Sequence, residues 1–160
     1  MPIALVRIDD RLIHGQVVEG WVPYLKIESV VVVSAAAAAD EVQKSLMRLA
    51  LPDHVDLRVD NAAAAARALA AAPSSQRRTL VVTPGPQEVL ELLDAGVRFD
   101  RVNVGGLHYT VGRVQLGKAI FLSEDDKKAL RAIARRGVRL EGRGLPVDSE
   151  QDIVALMEGT

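Results

Sequence analysis

Short apolar runs rich in β-branched residues recur along the chain and alternate with segments of helical spacing. This alternation constrains the fold more than any other feature. The runs fall at residues 3–8, 29–33, 55–59, 79–83, 101–104, 119–122 and 138–140. Between most of them apolar positions return every three to four residues, most clearly over 40–51, 61–72, 87–95 and 124–136, with a last such segment over 149–157. Strands that alternate with helices predict an α/β fold: an open, mainly parallel, twisted sheet with helices on both faces. The connections near Gly112 and Gly142 are short, and parallel pairs need long crossovers, so an antiparallel strand is expected near the C-terminus. At this length residues 1–160 are expected to form one domain. Aromatic residues are only 3% of the sequence, so its core must be built from Val, Ile, Leu and Ala.

Element boundaries have local causes. Asn61 is a good N-cap, and Pro73 stops the alanine-rich helix behind it as Pro52 stops the one ending at Leu51. Ser123 precedes Glu124, Asp125 and Asp126, a cap followed by acids that suit a helix N-terminus. Arg135, Arg136 and Gly137 form the complementary C-terminal signature. Gly96 closes the helix over 87–95 in the same way. The alanine tracts at 35–39 and 62–66 read as helix formers in helical positions.

Composition removes several function classes. The formal net charge is −1 with no basic stripe, which excludes non-specific nucleic-acid binding. Cysteine is absent, so disulfides and thiolate metal sites are excluded and a reducing compartment is expected. No basic segment followed by a signal-length apolar core opens the chain, and no apolar run approaches the roughly 20 residues that span a bilayer. The chain has no phosphate-binding GxxxxGK[ST], no GxGxxG and no GxSxG, which argues against nucleotide enzymes and serine hydrolases. The three histidines are too scattered for a zinc site.

Chemistry is expected where the loops after the parallel strands gather. Two histidines, His14 and His108, fall in those loops. His14 sits between the first strand and a short helix starting near Val17, close to Asp9, Asp10 and Arg11. A lone loop histidine is often structural, but this setting favours a nucleophile. Neutral imidazole attacks well near pH 7, and Gly15 admits close backbone approach. The following helix N-terminus offers N–H donors to phosphate oxygens, and Arg11 can fork onto them. Either aspartate can keep one ring nitrogen protonated, with Asp9 preferred over Asp10. Arg11 also reads as a plain ion-pair partner of those aspartates, Gly105 and Gly106 as a tight turn or a ligand cradle, and Ser34 as a helix cap or a site residue. His54 reads as an exposed loop residue.

The segment R-I-D-D-R-L-I-H-G-Q-V, Arg7 to Val17, resembles the active-site segment of IIB subunits in the mannose/fructose/sorbose group of the phosphoenolpyruvate-dependent sugar phosphotransferase system. V-V-V-V-S (Val30 to Ser34), V-N-V-G-G (Val102 to Gly106), K-A-I-F-L-S-E-D-D (Lys118 to Asp126) and R-G-V-R-L-E (Arg136 to Glu141) follow in family order. The resemblance covers essentially the whole chain. It implies that His14 is phosphorylated by a IIA partner, with Asp9 and Arg11 positioning the group. It also implies that the phosphoryl group passes on to a sugar held by a membrane IIC/IID complex. It further implies a cytoplasmic protein associated with the membrane through partners, often a homodimer, that needs no cofactor or metal ion. No IIA domain is joined to this sequence, so a separate donor is expected. Because two partners must dock in turn, the surface around His14 is expected to be flat. Three departures stand out: five alanines follow Ser34 where relatives usually carry an acid, Tyr109 replaces a common Phe, and Gly142 interrupts a usual L-E-V-R while Arg143 is kept. Two other readings share these residues. One is a regulatory phosphohistidine protein that transports no sugar; the other is a small-ligand binding module with His14 as a binding group.

Overall fold

Strand β1 (Ile3–Asp9) lies mid-sheet, and everything that positions the site is built outward from it. The computed structural model describes residues 2–71, 77–117 and 119–159. Beside β1, in order outward on one side, run β4 (Thr79–Thr83), β2 (Ser29–Val33) and β3 (Asp56–Asp60). On the other side run β5 (Arg101–Gly106), β8 (Arg139–Gly142) and β9 (Gln151–Asp152). Every pairing is parallel except β8 with β9. A separate antiparallel hairpin pairs β6 (Val114–Gly117) with β7 (Ile120–Leu122). The α/β architecture and the antiparallel C-terminal strand expected from the sequence are both present.

All seven apolar runs became strands, shifted by a residue or two at their ends. β6 was not anticipated, and β9 only in outline, because each is short and mostly exposed or half-exposed. The segment over 149–157 divides accordingly: Asp152 ends β9, caps α7 (Ile153–Glu158) and accepts from the Ala155 N–H.

The helices pack on both faces of the sheet. After β1 comes a π-helical turn, Gln16–Trp21, continuing into the short helix α1 (Val22–Tyr24). With α2 (Ala35–Ala38) and α3 (Glu41–Ala50) it covers one face, burying Val17, Trp21, Val22, Ala37 and Met47 against Val30, Val32, Leu80 and Val82. The opposite face takes α4 (Ala62–Ala71), α5 (Pro86–Asp94), α6 (Glu124–Arg135) and α7, whose Ala65, Val89, Leu92, Leu130, Ile133 and Met157 meet Val6, Ile8, Val81 and Val104. Strands β2 and β4 are buried along their whole length, as strands covered on both faces must be.

The expected caps do their work: Asn61 accepts from the Ala64 N–H, and Ser123 with Asp126 forms a reciprocal capping box on α6. Asp40, not singled out as a cap in the sequence, starts α3 by accepting from the Gln43 N–H. Gly96 and Gly137 close α5 and α6 at φ of +93° and +82°, a conformation that glycine adopts without strain. Ala72, the Pro73 stop and Lys118 lie outside the described residues.

Chain direction turns at β1. The connection after β1 leads past β4 to β2, while β5, its other neighbour, leads away to β8. Loops leaving in opposite directions open a crevice at the carboxyl ends of β1 and β5, the place where open α/β sheets bind and react.

Candidate active site

Register assembles the polar floor of the crevice. Arg7 on β1 lies opposite Asn103 on β5, and Asn103 lies opposite Glu141 on β8. These three residues form a row across three strands on the face that carries the π turn. All are buried, and Arg7 and Asp9 are wholly so at 0% exposure. Burial at this depth requires full pairing. Arg7 has it: Nε and Nη2 donate to Asp9 Oδ2 at 3.2 and 2.9 Å, Nη1 to Asn103 Oδ1 at 2.6 Å, and Nη2 to Gln16 Oε1 at 3.2 Å. Its guanidinium carbon also lies 5.4 Å from the centre of the Trp21 ring, and that of Arg143 lies 5.1 Å away. The Trp21 indole N–H donates to the Gly144 carbonyl at 2.8 Å. Arg143 is held by Glu141, with Nε 2.9 Å from Oε2.

Asp9 carries this order to the surface. Its Oδ2 is 2.7 Å from His14 Nε2, and its Oδ1 accepts from the Arg11 backbone N–H at 3.1 Å. Burial pushes the Asp9 carboxyl up. The His14 hydrogen bond, the Arg7 charge and the Arg11 N–H outweigh burial and hold it below its ordinary range. An ionised carboxylate only accepts, so His14 Nε2 carries the hydrogen and Nδ1 is left with a lone pair. The His14 side chain is 20% exposed. The cleft beside it, about 430 Å³, is lined by Gln16, Gly105 and Arg143 but not by His14. The ring is therefore partly exposed and is not enclosed by that cleft.

The other sequence candidates separate by geometry. Arg11 is exposed, and its guanidinium makes no hydrogen bond or ion pair among the described residues, so the plain ion-pair reading does not hold. Asp10 turns away from His14 and binds His108. The carbonyl of His14 accepts from both Val17 and Val18, so the turn's foremost N–H groups, those of Gly15 and Gln16, are the ones left for a ligand. Gly15 has open space around it. Ser34 caps α2 by accepting from the Ala37 N–H at 3.1 Å and does not join the His14 cluster. Gly105 and Gly106 form no tight turn; they end β5. A Cβ on Gly105 would lie 2.1 Å from Arg7 Cζ, so this glycine makes room for the buried guanidinium. Among the described residues no group of three or more His, Cys, Asp or Glu side chains has an arrangement that fits a metal ion.

Sequence reasoning missed Arg7, Gln16, Trp21, Asn103, Glu141 and Arg143. A signal was present: Arg7 and Asn103 interrupt otherwise apolar strand runs at positions that face inward.

Comparison with known proteins agrees over nearly the whole chain. The family model described as PTS system sorbose subfamily IIB component matches residues 3–160. The PTS system fructose-specific EIIB component of Bacillus subtilis (strain 168) is 33% identical over 157 residues, covering 98% of this chain and 96% of that protein. The PTS system mannose-specific EIIAB component of Escherichia coli (strain K12) is 34% identical over 98% of this chain, which spans 49% of that longer protein. The crystal structure of the IIBSor domain of the sorbose permease from Klebsiella pneumoniae superposes with a TM-score of 0.95 at 30% identity, covering 100% of this chain and 98% of that one.

Proposed function

The chain belongs to the sorbose subfamily of IIB components of the sugar phosphotransferase system, and from that premise we propose that it takes a phosphoryl group on His14 Nδ1 from a IIA protein and passes it to a sugar held by a membrane IIC/IID partner. The observation that carries the proposal is the 2.7 Å bond from His14 Nε2 to Asp9. It commits one ring nitrogen, and the other has no hydrogen-bond partner among the described residues. A buried Arg7 behind Asp9 keeps that carboxylate ionised and fixed.

The transfer needs little beyond position and charge. The Nδ1 lone pair attacks phosphorus as the donor's N–P bond breaks, and the Nε2 hydrogen stays on the Asp9 hydrogen bond throughout. Positive charge forming on the ring is offset by Asp9. Arg11 and the N–H groups of Gly15 and Gln16 face the phosphoryl oxygens. In the second half-reaction the N–P bond breaks with its electron pair returning to His14 Nδ1, an O–P bond to the sugar forms, and the sugar hydroxyl's proton passes to solvent.

The name of the Escherichia coli relative joins A and B components in one protein, which supports a IIA protein as the donor. The family match over residues 3–160 supports reading residues 1–160 as one IIB-type unit. Among the described residues no helix is long and apolar enough to cross a membrane. We place the chain at the cytoplasmic face, working through its membrane partners.

The test is intact mass after incubation with phosphoenolpyruvate, the general phosphotransferase proteins and a IIA protein. An acid-labile gain of one phosphate is expected, and it should be absent in His14→Ala, which should stay folded. A gain that persists in His14→Ala places the acceptor elsewhere. No gain in the wild type, with IIA shown to be charged, leaves His14 as a binding group.

A further inference from the structure

A second Arg–Asp–His chain lies beside the first, and none of the steps above uses it. Asp9 and Asp10 are consecutive, and each holds a histidine. Asp10 Oδ1 is 2.6 Å from His108 Nδ1, and its Oδ2 accepts from the His108 backbone N–H at 2.7 Å. Arg113 stands behind Asp10 as Arg7 stands behind Asp9: its Nη1 is 3.5 Å from Asp10 Oδ2 and donates to the His108 carbonyl at 2.9 Å. Arg113 is fixed in turn, with Nε donating to Asp126 Oδ2 at 3.1 Å, while Asp126 also accepts from Gln87. His108 is thus pinned at Nδ1 and along its backbone. Its Nε2 has no partner among the described residues, and its side chain is 36% exposed.

The direction of the ring connects the two chains. A Cβ on Gly106 would lie 3.1 Å from His108 Cε1 and 3.5 Å from Asp9 Oδ1. The ring edge beside Nε2 and the carboxylate that holds His14 therefore share the space over one glycine.

We propose that His108 is a second catalytic residue of this site, its Nε2–H binding an oxygen of the phosphoryl group as that group reaches His14 Nδ1. This rests on the reading of His14 as the acceptor. Charge in the transition state spreads over three equatorial oxygens, and a fixed, charged donor is worth most where charge develops. The charged groups facing His108 are Asp10 on the β1 side, Asp9 across Gly106, Arg113 ahead of β6 and the incoming phosphoryl group. The carboxylates and the phosphoryl group favour the imidazolium, and Arg113 opposes it. His108 donates this bond as the imidazolium, with Nδ1–H held by Asp10 and the Nε2 proton supplied by solvent. Apart from that N–H, no bond to His108 is made or broken during the transfer.

Two variants separate this role from a structural one. His108→Asn keeps an amide N–H for Asp10 and has nothing at Nε2; His108→Gln restores an N–H near Nε2. The readouts are the initial rate of phosphorylation from charged IIA across pH 6–9 and the protonation of His108 by ¹⁵N NMR in both states. His108→Asn should slow transfer about ten- to a hundredfold near neutral pH and flatten the alkaline decline, with partial recovery in His108→Gln. In the wild type, His108 should carry both protons after phosphorylation at a pH where it was neutral before. An unchanged rate and pH profile in His108→Asn, with the wild type phosphorylated, overturns this inference alone. Phosphate found on His108 in the His14→Ala protein also overturns it, by making His108 an acceptor. A wild type that takes no phosphate from charged IIA overturns the His14 reading itself.

Discussion

At the scale of single residues, two glycines that look alike in sequence have opposite tolerance. Gly15 has nothing within 4 Å of the space a Cβ would take, and its backbone is right-handed helical at φ −51°. Gly15→Ala should therefore leave stability within about 0.5 kcal/mol, or raise it slightly. At Gly105 the added carbon would fall 2.1 Å from the Arg7 guanidinium, and Arg7 is buried and cannot move aside without breaking its bonds to Asp9, Asn103 and Gln16. Gly105→Ala should cost roughly 1–3 kcal/mol and slow phosphorylation of His14, because displacing Arg7 releases Asp9. Denaturant titration of both variants beside a phosphorylation assay checks this; equal effects would remove Arg7 from the site's support. Asp9 also sets a pH dependence. Its folded pKa lies below the unfolded value of about 3.9, so the unfolded chain binds its proton first as pH falls. The stabilisation is complete above that value and disappears as pH drops through the folded pKa. Asp9→Asn should give a shallower loss of stability below about pH 4 than the wild type, measured as denaturation midpoint against pH. An unchanged slope would mean that Asp9 is not held as an anion.

At the scale of elements, helix α6 shows how a local signal carries function at a distance. The Ser123–Asp126 capping box starts the helix, and the same Asp126 fixes Arg113 behind Asp10. Ser123→Ala should lower stability by about 0.5–2 kcal/mol, read as a shift of the denaturation midpoint; no shift would show that the cap is redundant. The box was legible because its residues lie three apart and the physics is local. The strands were legible for the same reason, since burial on both faces forces continuous apolar runs such as Val30 to Val33. The antiparallel β9 was expected only in outline, and β6 not at all, because two- and four-residue strands with exposed side chains leave no pattern. His14, Asp9 and Arg11 could be picked out from their spacing and from family resemblance. Asn103, Glu141 and Arg143 could not, because strand register sets their neighbours, and register is a property of the assembled sheet. The sequence also left open whether Asp9 or Asp10 serves His14. The alternation of side chains along β1 and into its turn separates the two: Asp9 shares the face of Arg7, and Asp10 reaches across to the β5 loop.

At the scale of the whole molecule, the sheet divides the work between its faces. One face carries the buried polar row, Trp21 and the π turn that leads from His14. The other carries an apolar layer formed by α4, α5, α6 and α7. The row that holds His14 is thus confined to one side of β1, the other layer reaching the crevice through Asp126 of α6, and stability can be drawn from that layer without disturbing the row. Leu130 of α6 is fully buried in that apolar layer. Leu130→Ala should cost about 2–5 kcal/mol, the lost transfer energy plus the cavity left behind. Its effect on the initial rate of His14 phosphorylation, measured well below the melting temperature, should stay within about twofold, since sites far apart with no shared partners act nearly independently. Melting curves and single-turnover phosphorylation of the same preparation check both halves. A loss of rate as large as that from Gly105→Ala would show that the two layers move together, and the crevice between β1 and β5 would then depend on packing behind the sheet as well as on the charges in front of it.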